Sequence, residues 1–528
     1  MNMKKWLGTV LIVLATAASL PAALHVYQVP DLAGGNESPS IARNSLGDIL
    51  IVYRNNVGGA AYYFKKHDGS TLGPAIISGQ PYEQFAKENI LFTDIVVTPD
   101  NNFHSTWNFD IHAGAWGLYY AVFDIASETW TTPSRIISGK IEGPNLTINP
   151  LTNDLILVYD NYQGSVNKDV FLKVKTAQGW QKEVDISLST QETTNDAGLA
   201  GRLSEAEVES AGTRIQAPHG NLAETNPWVA VDETDGYVYM TWKADKWNPT
   251  TSQWELLIVV ALLDPNYNRV WYGRVTRDYN GFHVLPSIVA MDGKAMMTFA
   301  WQQEAGYYYL NFVRNGNSLT YDAGSLYSHR IAQAPLFPHW NYFSAIMQHG
   351  DSLAFTYKDY NKAVKLLHFT VDGHRLDSTP IDLCNQEESR WPYDSYSSPE
   401  VGILTVWAAP LKGDSSIYYS IYDDPRSVVG SPLNLRVETR LERSFFKGYY
   451  LNSLTWEANP YNTVHNVTLS AQRIYRKLKT QDRGQYVRIG EVSASALSYA
   501  DSDNVGDVNI YDYSVTCVDD KGHESTVR

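Results

Sequence analysis

The chain has 528 residues, 44% of them hydrophobic and 12% aromatic, with 15 Trp and 35 Tyr, and it carries no charge-rich or low-complexity tract of the kind that stays unfolded. Its formal net charge is −15 and no run of Lys or Arg interleaves with aromatics, which excludes a reader of phosphate backbones. Plentiful aromatics with only 19% charged residues suit many short, half-buried strands better than amphipathic helices.

Lys4 and Lys5 precede an apolar run over residues 6–20, with the small-residue contexts Ala15-Thr16-Ala17 within it and Pro21-Ala22-Ala23 after it. Residues 1–23 therefore read as a secretory signal. The run is shorter than the ~20 residues that span a bilayer, so no membrane span is expected once it is removed. The protein is expected to be secreted, periplasmic or displayed at the cell surface.

From residue 24 onward one pattern recurs: a short strand, a turn rich in Asp, Asn and Gly, a second strand ending in an aromatic, then a third strand dense in Tyr, Phe and Val. Seven copies are counted, with strand pairs at residues 38–55, 92–110, 143–161, 226–245, 285–303, 342–360 and 391–410. An insertion at 188–225 stretches one interval. The expected class is all-β, a seven-bladed β-propeller over residues 24–427. Its seventh copy runs into Pro425 without a fourth strand, and the extended segment 25–30 (HVYQVP) is expected to supply that strand and close the ring.

Residues 428–528 are a different module. Strands are expected at 433–439, 453–458, 467–477, 486–492 and 511–518, at the spacing of a β-sandwich. Cys384 and Cys517 fall in different domains and are expected to be free thiols or small buried hydrophobes. The run Asp501-Ser502-Asp503-Asn504-Val505-Gly506-Asp507 begins like a calcium loop, but Val505 holds a ligand position and the distal Glu is missing. It reads as an acidic turn with structural calcium as the alternative; no other cofactor and no metal ligand set is expected.

Within each copy the loop entering the first strand and the loop leaving the second lie at one end, because neighbouring antiparallel strands run in opposite directions. Residues at those places converge on one face: Arg54, Asp110, His112, Tyr162, His219, Lys243, Trp247, Glu304, His339, Trp340, Tyr360, Arg390 and Trp391. Aromatic faces beside hydrogen-bonding groups suit sugar rings. His112, His219, Tyr162 and Arg390 are the candidate catalytic set: a His or Tyr beside a cation can take the proton α to a uronate carboxylate or protonate a leaving oxygen. The remaining nine are candidate substrate-binding residues. The competing structural account is that strand-ending Trp and Tyr seal the apolar stack between blades.

At the second copy, Phe103-His104-Ser105-Thr106-Trp107, His112, and Gly117-Leu118-Tyr119-Tyr120-Ala121-Val122-Phe123-Asp124 with Trp130 resemble the repeats of sialidase-like, BNR-type propellers of secreted carbohydrate-active proteins. That resemblance, spread over residues 25–424, implies sialidases, polysaccharide lyases, rhamnosidase-like enzymes or silent glycan binders, and in the lyase-type members makes His112 the counterpart of a central His. The stretch 124–130 lacks the Gly of the sialidase turn and no Arg-Ile-Pro element opens the first copy, which disfavours sialidase activity proper. The C-terminal segment resembles a fibronectin type III domain, through Trp456 and the closing Tyr511–Asp519 strand followed by Gly522-His523-Glu524-Ser525. The implied partner is an extracellular glycan or polysaccharide, or a cell-surface protein. The functions left standing are a polysaccharide lyase or glycosidase, a non-catalytic glycan- or protein-binding module, and a structural component of an extracellular assembly.

Overall fold

The computed structural model describes residues 24–29, 37–55, 58–64, 75–77, 89–110, 117–139, 141–163, 167–187, 222–248, 253–275, 283–301, 305–322, 328–333, 344–361, 363–384, 394–398, 402–411, 414–422, 429–443, 448–464, 467–479, 486–502, 510–525 and 527. They are nearly all β: among the described residues the one α-helix is Pro460–Val464. No helix among them is long and apolar enough to cross a membrane.

Up to Tyr422 the strands form antiparallel meanders, here called units in chain order. The first unit is Glu37–Arg43, Ile49–Asn55, Gly58–Phe64 and Ala75–Ile77. The next first strands are Asn89–Val97, Ile141–Asn149, Leu222–Val231, His283–Met291, Ser344–His349 and Asp394–Ser398. Their second strands are Phe103–Asp110, Asp154–Gln163, Val238–Asn248, Lys294–Trp301, Ser352–Lys358 and Gly402–Leu411. Units three and four join in one sheet through a single parallel pairing of Lys168 with Ala223.

The last unit takes its fourth strand from the other end of the chain, as the sequence suggests. Leu24–Gln28 pairs antiparallel with Asp414–Tyr422, His25 opposite Ile421 and Tyr27 opposite Tyr419. The Tyr27 and Tyr419 rings stack at 5.0 Å, and the edge that Asp414–Tyr422 would otherwise present is covered.

Why the units stand side by side follows from the strand period. Each second strand buries an aromatic at one common register: Tyr53, Trp107, Tyr159, Trp242, Phe299, Tyr357 and Trp407. Each packs into the apolar cluster shared with the preceding unit. Its neighbours along the strand point the opposite way, and Val52 and Val158 enter the cluster shared with the following unit. Every cluster thus joins two consecutive units, and one joins the last to the first. First strands pack on first strands in the same order, with Glu37–Arg43 against Asp394–Ser398 closing the circle.

A β-bulge recurs in five first strands, between Glu37/Ser40, Ile90/Thr93, Glu142/Asn145, Thr225/Trp228 and Val284/Ser287. In four of the five the skipped dipeptide ends in Pro: Pro39, Pro144, Pro227 and Pro286. Proline has no N–H for the ladder, so a bulge is where a strand tolerates it. The residue before it is left-handed at Gly143, Asn226 and Leu285, with φ of 54°, 56° and 51°.

The C-terminal module packs two three-stranded sheets. Leu433–Arg443, Gly448–Glu457 and Ser498–Asp501 form one; Val487–Ser493, Leu469–Leu478 and Tyr511–Asp519 form the other. Leu454, Trp456, Ile474 and Val515 make the core between them. Ser498–Asp501 and the helix were not anticipated. The short strand is Ser- and Ala-containing with one Tyr, without apolar alternation. Cys384 and Cys517 are both free and buried, as expected, and burial pushes the Cys517 thiol up to about 12. Asp501 is committed internally: Arg476 donates to its carboxylate at 2.7 Å and so does the Tyr513 hydroxyl at 2.7 Å. Residues 503–507 of the calcium-like run lie outside the described residues.

Candidate functional site

The two ends of the ring differ in kind. One end holds the turns between first and second strands, and it is stitched together across units. The Ser45 amide and hydroxyl donate to Asn101 Oδ1 of the second unit at 3.0 and 2.6 Å. Tyr267 of the fourth unit donates to Asp154 of the third at 2.7 Å. The Gly293 amide of the fifth unit donates to Asp232 of the fourth at 2.6 Å, and Lys294 pairs with Asp372 of the sixth at 2.7 Å.

The sandwich is fastened to this turn end. The amide of Gly350, in the turn of the sixth unit, donates to Tyr461 Oη at 3.0 Å, and Tyr461 is 2% exposed. Asp351 accepts from the Ser431 amide at 2.8 Å and from the Ser431 hydroxyl. Gly430 and Asn462 exchange two bonds, 2.8 and 2.9 Å, and Asn459 donates to Ser431 O at 2.9 Å. A joint whose buried polar groups all have partners is rigid.

The opposite end carries the hairpins between second and third strands, where the candidate residues were expected. Register fixes the level of each strand there. Two places past Val52, Thr106, Val158, Thr241 and Thr356, which precede the buried aromatics, stand Arg54, Asn108, Asp160, Lys243 and Lys358. Asn108 is fully buried and donates to Ile141 O of the next first strand at 2.7 Å. Asp160, 1% exposed, accepts from the Asn226 amide at 3.3 Å, at the bulge of the next unit. These two hold neighbouring units together. Lys358 is buried and Lys243 half-buried.

Tyr360 stands in the turn after Ser352–Lys358 and is 50% exposed. That turn is tight: the Asp359 amide donates to Ala363 O at 2.9 Å, and Asp359 Oδ1 accepts from the amides of Asn361 and Ala363, both at 2.9 Å. Arg54, Asp110, Tyr162 and Trp247 lie at the hairpin ends of their strands, opposite Glu37, Asn89, Lys168 and Trp254 respectively. His112, His219, Glu304, His339, Trp340, Arg390 and Trp391 lie outside the described residues.

Sequence reasoning passed over the residues at the centre of the ring. Asp94 accepts the Leu146 amide of the next unit at 2.5 Å and the Asn145 side-chain amide at 3.2 Å. Asn145 Oδ1 in turn accepts the Val229 amide at 2.9 Å. At the closure, Asp394 accepts the Ile41 amide at 3.1 Å, and Ser40 donates to Thr93 O at 2.8 Å. Both residues are half-buried. Lost hydration lifts Asp394 to about 6 and, together with the charge of Asp394, carries Asp94 well above the usual carboxylate range. Their signal was available: Ser40, Asp94, Asn145, Ser287 and Asp394 are polar residues at one place of an otherwise apolar repeat.

A hydrogen-bonded His–Tyr pair does occur among the described residues, away from the hairpin end. His104 Nδ1 meets Tyr120 Oη at 2.5 Å and its Nε2 meets Thr98 Oγ1 at 2.9 Å. Both rings are buried. Burial, with the nearby Lys175 charge, lowers His104 to about 4, so the imidazole is neutral. No group of three or more His, Cys, Asp or Glu residues among the described residues is placed to hold a metal ion.

No known protein family matches the chain, and no curated protein does. Solved structures do. An ulvan lyase of polysaccharide lyase family PL25, bound to -[GlcA(1-4)Rha3S]-, is 9% identical, with 74% of this chain and 95% of that one covered and a TM-score of 0.47. The lectin BP39L from Burkholderia pseudomallei is 10% identical over 75% of this chain and 99% of its own, TM-score 0.45. The Penicillium chrysogenum α-L-arabinanase complexed with arabinobiose is 10% identical over 67% and 99%, TM-score 0.40. These neighbours are propeller-type carbohydrate-active proteins.

Proposed function

We infer that the ring is a seven-bladed β-propeller, that the C-terminal module is a fibronectin type III domain, and that the protein is secreted and acts on an extracellular polysaccharide at the hairpin end. The observation that carries this reading is the placement of the sandwich: Tyr461 and Ser431 bind it to the turn end, and among the described residues its bonds to the ring lie at the end away from the hairpins. At that end Tyr360 stands half exposed on its turn, with Arg54 and Lys243 on strands at the level below. Cations and an exposed aromatic at one end suit an anionic sugar chain.

On a uronate-containing chain the set His112, His219, Tyr162 and Arg390 suits β-elimination. Arg390 neutralises the carboxylate, a His or Tyr takes the proton α to it, a second returns a proton to the departing glycosidic oxygen, and a C–C double bond is left behind. The test is turnover of polygalacturonate, alginate and glucuronan followed at the ultraviolet absorbance of the unsaturated product. His112→Ala is expected to abolish turnover with the far-ultraviolet circular dichroism unchanged. Absence of product from wild type on every polymer removes the lyase reading.

A second reading, a glycan-binding module without catalysis, is favoured by the fate of Asn108 and Asp160, both taken up in joining blades. Retained polymer binding without product supports it.

A further inference from the structure

The strand that closes the ring begins where the secretory signal ends. The signal reads as residues 1–23, with Pro21-Ala22-Ala23 at its end, and Leu24 is already paired, opposite Tyr422. No residue is left as a spacer. Leu24 and Val26 pack into the apolar cluster shared by the sixth and seventh blades, and Tyr27 and Val29 into the one shared by the seventh and first. The Val29 amide donates to Ile417 O at 2.8 Å. Tyr422 ends the third strand of the seventh blade, at the turn end, so the chain preceding Leu24 departs from the end where the sandwich is fastened. The sandwich runs on from that joint for the 10 residues of Gly448–Glu457, or about 30 Å. The link from Leu20, the last residue of the apolar run, to Leu24 spans at most about 14 Å. A signal still lodged in a bilayer therefore holds Leu24 nearer the membrane than the sandwich lets the ring come.

We propose that the ring closes only after the signal is removed, so that processing at the membrane completes the fold. The proposal rests on the protein being secreted. Until cleavage, Leu24–Gln28 is tethered away from Asp414–Tyr422, whose outer edge stays bare. A membrane-bound signal peptidase then hydrolyses the Ala23–Leu24 bond with one water, leaving a carboxylate on Ala23 and a free α-amino group on Leu24, and the released strand docks. A bare edge invites pairing with another chain, and Leu24–Gln28 ends that exposure as soon as it is free.

The experiment compares the full chain exported with its own signal and a chain in which Ala17→Gln, Ala22→Gln and Ala23→Gln keep the signal attached, held in phosphatidylcholine nanodiscs. Hydrogen exchange is followed over Asp414–Tyr422, with Val238–Asn248 of the fourth blade as the internal reference. The exported protein is expected to begin at Leu24 and to exchange slowly at both places. The signal-bearing chain is expected to exchange about tenfold faster over Asp414–Tyr422 alone. A third chain, with about twenty Gly and Ser residues between Ala23 and Leu24, reaches about 70 Å when extended and is expected to regain protection with the signal still attached. Equal protection with and without the signal overturns the coupling. So does a linker that restores nothing, or an exported protein that begins upstream of Leu24. A wild-type chain that stays inside the cell overturns secretion as well.

Discussion

Replacing Asp94 with Asn should make the protein gain stability relative to wild type as pH rises from 4 to 8. Asp94 and Asp394 face the centre of the ring, each accepting a backbone amide of the following blade. Both carboxyls titrate above their ordinary 3.8, Asp394 at about 6. A group whose folded value is raised favours the fold while it is protonated. That contribution is complete below about pH 4 and is lost as pH rises through the folded value. At about 1.4 kcal/mol per pH unit, ionising Asp394 alone costs the fold about 3 kcal/mol by pH 8, and Asp94 adds to it. Asn keeps the acceptor for the Leu146 amide, as Asn145 does for Val229 at 2.9 Å. It gives up the charge, which weakens the bonds from Leu146 and the Asn145 side chain, and it turns an NH2 toward the Ile95 amide that now meets Oδ1, at a cost of about 1–3 kcal/mol. The bonds are weakened at every pH while the ionisation cost of Asp94 is removed only where it ionises, so the thermal midpoint of the variant should rise relative to wild type between pH 4 and pH 8. Calorimetry of wild type and Asp94→Asn at half-unit steps between these limits measures it. A midpoint that falls relative to wild type over this range, or an offset of equal size at both ends, refutes the reasoning.

Three further outcomes follow from the same contacts. His104, lowered to about 4 by burial, stabilises the fold above pH 6.5 and loses that contribution as pH falls to 4, by roughly 3 kcal/mol; its imidazole resonances should show no titration between pH 5.5 and 7.5. Deleting residues 24–28 uncovers Asp414–Tyr422 and removes the Tyr27 stack, so light scattering should report aggregation well below the wild-type unfolding temperature, and a monodisperse, equally stable variant contradicts the closure. Tyr461→Phe leaves the Gly350 amide without its acceptor and should cost about 1–2 kcal/mol, speeding limited proteolysis at the join between the domains; an unchanged rate argues against a rigid joint.

The ring was legible in the sequence because its signals are local and repeated. Strand, Asp/Asn/Gly turn and aromatic-ending strand recur at one register, and the absence of a fourth strand before Pro425 pointed to residues 25–30. Strand-ending Trp and Tyr were read there as able to seal the stack between blades, and Tyr53, Trp107 and Trp407 are such seals. What escaped is non-local. Asn108 and Asp160 look solvent-facing at the end of a strand, and only the neighbouring blade shows that each reaches an amide or carbonyl there. The X-Pro dipeptides at 38–39, 143–144, 226–227 and 285–286 were in plain view, yet their meaning as bulges depends on counting residues against the partner strand. Ser498–Asp501 has no apolar alternation and is a strand because Gly448–Glu457 pairs with it.

The division of labour between the two ends has a physical cause. At the turn end the described loops between first and second strands are short, and polar groups of that end bond to the adjacent blade, as Asn44, Asn101, Asp232 and Asp154 do. Changing a loop there breaks bonds in two blades at once. At the hairpin end the interblade bonds sit below the rim, in the buried level of Asn108 and Asp160 and in the bulged first strands. Residues beyond that level are released from holding the ring, which is why the second strand can end at it in one blade and beyond it in another. Freedom of length without loss of closure is what a binding face needs from its scaffold. The sandwich follows the same logic: it is fastened at Gly350 and Asp351, where the ring is already inflexible, and so adds mass without constraining the end where hairpin length sets the shape.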